Sequence, residues 1–289
     1  MFYEEIQKNK IKSWLLVCSF FAIIGVLSYV ILYYTYFGES AIIFAFLIAV
    51  ISSYLTYYYS DSLVLTFSRA RPVKKIEYPF LYNITEGLAI AAGIPKPRLF
   101  IIDDDALNAF ATGRDPEHSV IVVTKGLIKK LNREELEGVI GHEMSHIKNY
   151  DIKFATLVVV LVGMVAILSR FFIRSQFWGN KKEKEGASIL FFIGLILAIF
   201  APLFTKLVQL AISRKREFLA DASSVELTRN PSGLINALKK ISENPGVKSA
   251  SQVTAGLFIS NPFRKQNLIK LFSTHPPIEE RIKALEKMA

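Results

Sequence analysis

Residues 132–169 read NREELEGVIGHEMSHIKNYDIKFATLVVVLVGMVAILS, and two patterns meet inside this stretch. The first half reads as an amphipathic helix. Asn132 followed by Glu135 three residues later makes a capping box, in which each side chain satisfies a backbone N–H left open at the helix start. Leu136, Val139, Ile140, Met144 and Ile147 recur at three- and four-residue steps and form one apolar stripe. His142 and His146 sit on the flank of that stripe. Four residues apart, they project from the same side of the helix, so both imidazoles can reach one Zn²⁺. Glu143, next to the first histidine, projects beside such an ion, where it can take a proton from a bound water. The second half turns apolar, with 16 uncharged residues over Phe154–Ser169. If the helix runs on unbroken, His146 and Phe154 are about 12 Å apart along it.

Three more uncharged runs lie outside this stretch: Trp14–Phe37 with 24 residues, Ala41–Tyr59 with 19 and Ser188–Thr205 with 18. A membrane helix needs about 20 residues, and the run at Phe154 reaches that length through Ile173 when Arg170 snorkels. Trp14–Phe37 exceeds the roughly 7–15 apolar residues of a signal peptide and lacks a small-x-small cleavage site, so it reads as a retained anchor. Tyr29, Tyr33, Tyr34 and Tyr36, then Tyr54 and Tyr57–Tyr59, crowd the span ends as interfacial aromatics do. The composition of the 289 residues agrees: 52% are hydrophobic and 21% charged, which excludes a disordered chain. A single cysteine, Cys18, excludes a disulfide-stapled module. The net charge of +10, beside membrane-length runs, indicates polar parts lying against anionic lipid rather than nucleic acid.

Four spans would place the polar segments Ser60–Lys153 and Ser213–Ala289 on one side of the membrane, as one domain interrupted by a helical hairpin. The expected division is 1–59 for a first transmembrane hairpin, 60–153 for the first part of the domain, 154–212 for a second hairpin and 213–289 for the second part. Twelve Lys and Arg residues flank the spans on the domain side, against Arg174, Lys181, Lys182 and Lys184 opposite. That bias puts the domain and both termini in the cytoplasm. Inside the domain, Pro79–Ala92 reads as a helix with Leu81, Ile84, Leu88 and Ala91 on its apolar face, stopped by Gly93, Pro95 and Pro97. Leu99–Ile102, Asn108–Thr112 and Ser119–Thr124 read as strands, the last two joined by a Gly113-Arg114-Asp115 turn. Helices are expected near Arg214–Leu227, Ser232–Ser242 and Ile278–Met288, the last with Ile278, Ile282, Leu285 and Met288 on one face. The class is mostly α with a small β-sheet. Asp103-Asp104-Asp105 reads as a solvated loop.

A catalytic zinc needs a third protein ligand and an open fourth position. Cys18 falls inside a span and His118 in a strand-entry turn, which leaves a carboxylate as the better candidate. Residues 214–221 read RKREFLAD, and Glu217 and Asp221 are again four apart and face one side. Glu217 fits a third ligand, and Asp221 fits a partner for the free ring nitrogen of a ligand histidine. Charged residues capping a membrane helix would look the same.

HEMSH at 142–146, the apolar hairpin, REFLAD at 216–221, STHPP at 273–277 and Glu280-Arg281-Ile282 follow one another in this order. With ARP at 70–72 and NAFATG at 108–113, they resemble the HtpX-type membrane zinc metalloproteases, relatives of the CAAX prenyl proteases and, more distantly, of the thermolysin-like gluzincins. The resemblance runs over nearly the whole chain. It implies a four-helix transmembrane bundle carrying a gluzincin-like zinc protease domain, one Zn²⁺ per chain, and polypeptide substrates drawn from misfolded or damaged membrane proteins under stress. It also implies Glu217 as the third zinc ligand and Glu143 as the catalytic base. By analogy with the late histidine of gluzincins, His275 is the candidate donor to the tetrahedral oxyanion; Arg281 is the runner-up, or a structural support. Asn108 and Ala109 resemble the edge strand that aligns a substrate backbone by β-addition. A metal-ion transporter is the rival from another class, but His142, His146 and Glu217 lie outside the apolar runs rather than near a bilayer midplane. A zinc-bound scaffold would need a fourth protein ligand, and a prenyl protease more than four spans. A metal site this close to a span favours membrane-tethered substrates.

Overall fold

Apolar patterning separates the chain into a membrane layer and a domain built on its end. The computed structural model describes residues 2–32, 38–175, 192–193, 195–196, 214–243, 246–247, 254–260 and 276–288. Helices α1 (Phe2–Leu32), α2 (Ala41–Tyr58) and α7 (Asp151–Ser175) contain windows long and apolar enough to cross a bilayer: Lys10–Tyr29, Ala41–Tyr58 and Asp151–Arg170. The expected fourth run, 188–205, and the loop lysines Lys181, Lys182 and Lys184 fall largely outside the described residues. On α2, Ala41, Ala45 and Ala49 are buried while Ile42, Ile43, Phe46 and Ile51 are exposed. Small residues on the inner face let α1 and α2 approach closely, with Gly25 set against Ala49. The exposed apolar side is the lipid-facing one. Helix α7 differs, since more than half of its span window is buried.

Helix α7 is buried by α1, whose Leu16, Phe20 and Ile24 pack on it, and by the sheet. Strands β1 (Arg71–Pro72), β2 (Arg98–Ile102), β3 (Ala109–Gly113) and β4 (Ser119–Thr124) form one sheet of order β1-β2-β4-β3. β2 and β4 run parallel, and the β1–β2 and β3–β4 pairs are antiparallel. β4 is apolar on both faces because both are covered. Ile121 and Val123 pack towards helix α6 (Arg133–Lys148), and Val120 and Val122 pack towards Val159 and Val160 of α7. Thr156 of α7 accepts from Gly113 N at 3.1 Å and shares a 2.9 Å hydrogen bond with Thr112. The sheet is thus held between the HEMSH helix and a membrane helix.

The strands lie within a residue of their expected bounds. Helix α4 (Pro79–Ala92) ends as expected at Gly93, whose φ of 69° suits a left-handed cap, although Ala92 rather than Ala91 faces the core. Helices α8 (Arg214–Thr228), α9 (Pro231–Glu243) and α10 (Ile278–Glu286) complete the domain. On α10 the fully buried residue besides Leu285 is Arg281, and Met288 is exposed. Three short elements had no sequence signal: α3 (Ser60–Phe67), the two-residue β1, and α5 (Lys125–Lys130), capped by Thr124.

The capping box of α6 is formed. Asn132 Oδ1 accepts from Glu135 N at 3.0 Å, and Glu135 Oε2 accepts from Asn132 N at 2.8 Å. The expected unbroken helix from His146 to Phe154 is not formed: α6 ends at Lys148, Tyr150 takes a left-handed φ of 58°, and α7 starts at Asp151. A single left-handed residue at a tyrosine leaves no compositional mark, so the apolar periodicity on either side hides the break.

Two glycines let α6 meet its neighbours backbone to backbone. A Cβ at Gly138 would stand 2.7 Å from Leu234 N on α9, and one at Gly141 would stand 2.9 Å from Ser224 Oγ on α8. Ser224 Oγ in turn donates to Gly138 O at 2.7 Å. Gly138→Ala should lower unfolding stability by about 1–3 kcal/mol through overpacking. Gly87→Ala on exposed α4, where a Cβ meets nothing within 4 Å, should instead be neutral or stabilising by about 0.5–1 kcal/mol. Thermal unfolding in detergent checks both, and an undisturbed Gly138→Ala would contradict the close crossing.

Candidate active site

Helix α6 presents His142 and His146 one turn apart, and the close α6–α8 crossing brings Glu217 opposite them. Ligand atoms of the three residues all lie within 4.8 Å of one another. His142 Nε2 and His146 Nε2 are 3.2 Å apart, and they stand 3.7 Å and 3.5 Å from the Glu217 carboxylate oxygens. His142 and Glu217 are each 1% exposed.

The other ring nitrogens decide what these atoms can do. His142 Nδ1 faces Asp221 Oδ1 at 2.9 Å, and His146 Nδ1 faces Asp151 Oδ2 at 3.1 Å. Each Nδ1–H donates to a carboxylate, which turns both Nε2 atoms towards one another and towards a third carboxylate, where they hold either a proton or a metal ion. Such a convergence in a buried space is stable only with a proton or a metal ion between the nitrogens and the carboxylate. Two nitrogens and one carboxylate oxygen fit a divalent metal. Among the described residues no fourth His, Cys, Asp or Glu joins the group, which leaves a position for water or substrate.

The electrostatics agree. Burial pulls the His146 pKa down, but the Asp151 hydrogen bond and the charge of Glu217 outweigh it and lift the ring to about 9. The negative field that favours a proton there also favours a divalent cation at Nε2. Glu143, 2% exposed, has its carboxyl pushed up by burial. The two histidines and the Ala111 N–H counter that effect, and Glu217 adds to it.

Behind His142 lies a fully buried arginine. Arg281 Nε and Nη2 donate to the two Asp221 oxygens at 2.8 and 2.6 Å, and Nη1 donates to Ile259 O at 3.0 Å. Burial alone would raise the Asp221 carboxyl, but Arg281 and His142 hold it well below the usual carboxylate range. Burial also works against the Arg281 charge, and Asp221 overcomes it, so its pKa is raised. A two-pronged pair of this kind fixes direction as well as charge.

Asn108 and Ala109 lie at the start of β3, an edge of the sheet. Their outward groups are engaged within the chain: Ala109 O accepts from Ile259 N at 2.8 Å, and Asn108 Nδ2 donates to Ser260 O at 3.0 Å. One step along the same edge, Ala111 N–H reaches Glu143. A cleft opens over the metal group, walled by Ala111, Ile152, Ala155, Leu257 and Ile259, with Arg216 among its polar residues. Ile152 and Ala155 belong to the span window of α7. His275 lies outside the described residues. The carboxylates of the Asp103–Asp105 loop face Lys125, the Ala106 N–H and Lys129. His118 pairs with Asp115 at 2.7 Å on an exposed turn.

Asp151 and Ile259 carry no sequence signal, and Arg216 carries none that ties it to the histidines. Asp151 follows the second histidine by five residues, which on a straight helix is about 140° round the axis. Arg216 reads as a basic residue flanking a span and as the first residue of REFLAD, with no role attached, and Ile259 as an unassigned apolar residue.

Comparison with known proteins places this arrangement. A profile of peptidase family M48 matches residues 77–289. The chain is 48% identical over 288 residues to the protease HtpX homolog of Dictyoglomus turgidum, covering 99% of this chain and 95% of that one. It is 43% identical over 297 residues to the protease HtpX homolog of Streptococcus gordonii, covering all of both chains. The fold is similar to the crystal structure of S. mikatae Ste24p, with a TM-score of 0.51 at 19% identity, over 98% of this chain and 67% of that one. A full-length match at this identity, over a chain whose two histidines and glutamate converge beside apolar helices, settles the family: the chain belongs to peptidase family M48, as a membrane metalloprotease of the HtpX type.

Proposed function

We propose that this protein is a zinc-dependent endopeptidase of the cytoplasmic membrane, with its catalytic domain and both termini in the cytoplasm, acting on misfolded or damaged membrane proteins. The convergence of two Nε2 atoms and the Glu217 carboxylate carries the proposal. His142, His146 and Glu217 hold one Zn²⁺; borderline-soft zinc suits imidazole and carboxylate in a three-ligand catalytic site. When bound, zinc supplies Lewis acidity and brings the pKa of water to about 7.

The chain's own residues do the remaining work. Glu143 takes the proton of the attacking water and returns it to the leaving amine, a task that a carboxyl raised by burial suits. Asp221 holds the His142 tautomer. Arg281 is engaged by Asp221 and Ile259 O, which supports the structural role among its two expected ones. The oxyanion donor is His275. The Asn108–Ala109 end of β3 aligns substrate backbone, which then shares or takes over the hydrogen bonds now made to Ile259 and Ser260. A prenyl-processing role fits less well, because the likeness to Ste24p is one of fold at 19% identity while HtpX homologs match at 43–48%. Lys10 lies over the Tyr150 ring, and Lys153 lies over Trp14 and Tyr57. Lys153 is buried, so these contacts tie the helices to one another; what supports a basic face against anionic lipid is the set of Lys and Arg residues flanking the spans on the domain side.

Purified Glu143→Gln should retain its metal and lose roughly 10²–10⁴-fold of its casein-type proteolysis. Stripping the metal from the wild type should abolish cleavage, and zinc should restore it. Wild-type proteolysis by Glu143→Gln would remove Glu143 from the mechanism, and full activity of the stripped enzyme would remove the metal.

The cleft wall contributed by Ile152 and Ala155, at the start of a span window, supports substrates cut close to the bilayer. One unfolded segment presented with and without a membrane anchor, on vesicles holding the enzyme, should be cut faster when anchored. Equal rates at equal bulk concentration would count against a membrane-tethered substrate.

A further inference from the structure

Each histidine of the metal group is backed by a carboxylate and an arginine, and the two sets differ in where they are anchored. The His142–Asp221–Arg281 set lies inside the domain, with all three residues at most 1% exposed. In the other set His146 Nδ1 donates to Asp151 Oδ2 at 3.1 Å, and Arg216 Nη1 donates to Asp151 Oδ1 at 2.9 Å. Asp151 is the first residue of α7 and of its span window.

We propose that Asp151 is a positioning residue for the metal centre, through which the seating of a membrane helix against α6 governs metal retention. The inference rests on reading His142, His146 and Glu217 as the metal ligands.

The geometry depends on the break between α6 and α7. On a continuous helix Asp151 would project about 140° away from His146. The left-handed Tyr150 redirects the chain so that α7 begins with its carboxylate turned back on the ring. An acidic group at a helix N-terminus is favoured by the helix dipole, and Arg216 of α8 clamps it from the side that supplies Glu217. A carboxylate behind a ligand histidine fixes its tautomer and ring orientation and raises its basicity. Helix α7 is in turn tied to the sheet by Thr156. A shift of α7 relative to α6 therefore turns the His146 ring, while the set behind His142 stays in place.

The test compares full-length variants in detergent or nanodiscs, reading zinc affinity by chelator competition and ligand geometry by the visible absorption of bound cobalt(II). Asp151→Asn should weaken zinc binding by about 10–100-fold and alter the cobalt spectrum. Arg216→Gln, which removes the ion pair but keeps the His146 contact, should lose less than about fivefold with the spectrum unchanged. Asp151→Glu, which keeps the charge but displaces the carboxylate by one methylene, should fall between wild type and Asp151→Asn, and it carries the comparison if Asp151→Asn does not fold. Affinity of Asp151→Asn within about twofold of wild type would overturn the proposal. Equal losses in Asp151→Asn and Arg216→Gln with an unchanged spectrum would also overturn it, by reducing Asp151 to an ion-pair partner. Wild-type affinity in His146→Ala would instead overturn the ligand assignment on which the proposal stands, and the proposal with it.

Discussion

Two imidazole nitrogens and a carboxylate are pressed together in a space that water barely enters, and the domain is arranged around what that requires. His142, Glu143, Glu217, Asp221 and Arg281 are each at most 2% exposed. Ionisable groups that deep are tolerated only when each is paired or bound to a metal. Here Arg281 neutralises Asp221, Asp221 holds His142, and Asp151 with Arg216 does the same for His146. The inner face is where the two Nε2 atoms meet the Glu217 carboxylate, which Arg281 Nη1 also faces at 3.7 Å. Two ring nitrogens and a carboxylate oxygen within reach of one another make that face the candidate place for a divalent cation.

The backbone arrangement follows from bringing these groups to one point. Gly138 and Gly141 allow α9 and α8 to cross α6 at distances a side chain would forbid. Glu217 therefore arrives opposite histidines some 70 positions earlier in the sequence. The sheet, buried on both faces, fixes α6 on one side and α7 on the other. Placing a membrane helix under the sheet has a chemical consequence: its first turn supplies Asp151 behind His146 and Ile152 in the cleft wall. The site is thus assembled partly from the membrane layer rather than carried above it.

Much of this was legible in the sequence, for reasons that can be named. The capping box at Asn132 and Glu135 and the four-residue steps of HEMSH are local signals, and local signals survive folding. Glu217 and Asp221 could be paired with the histidines because helical spacing puts both on one face and zinc chemistry asks for a third ligand. The strands were readable because β4 is a short apolar run bounded by turns. Asp151 was hidden because its role depends on one left-handed tyrosine, whereas the sequence-based reading assumed an unbroken helix. Arg281 could not be told apart as oxyanion donor or support, since only its distance to Asp221 distinguishes them. The pairing of Ile259 and Ser260 with the Asn108–Ala109 edge spans about 150 positions and involves a segment with no periodicity. Elements of two to eight residues, such as β1, α3 and α5, carry too few positions for a pattern to emerge.

One zinc ion is proposed where His142, His146 and Glu217 converge. An anomalous-difference map, recorded at the zinc absorption edge from crystals of the full-length protein, tests it directly. One peak per chain is expected, about 2.0–2.2 Å from both Nε2 atoms and from a Glu217 carboxylate oxygen. A zinc peak elsewhere in the chain, with none between the two Nε2 atoms, would contradict it.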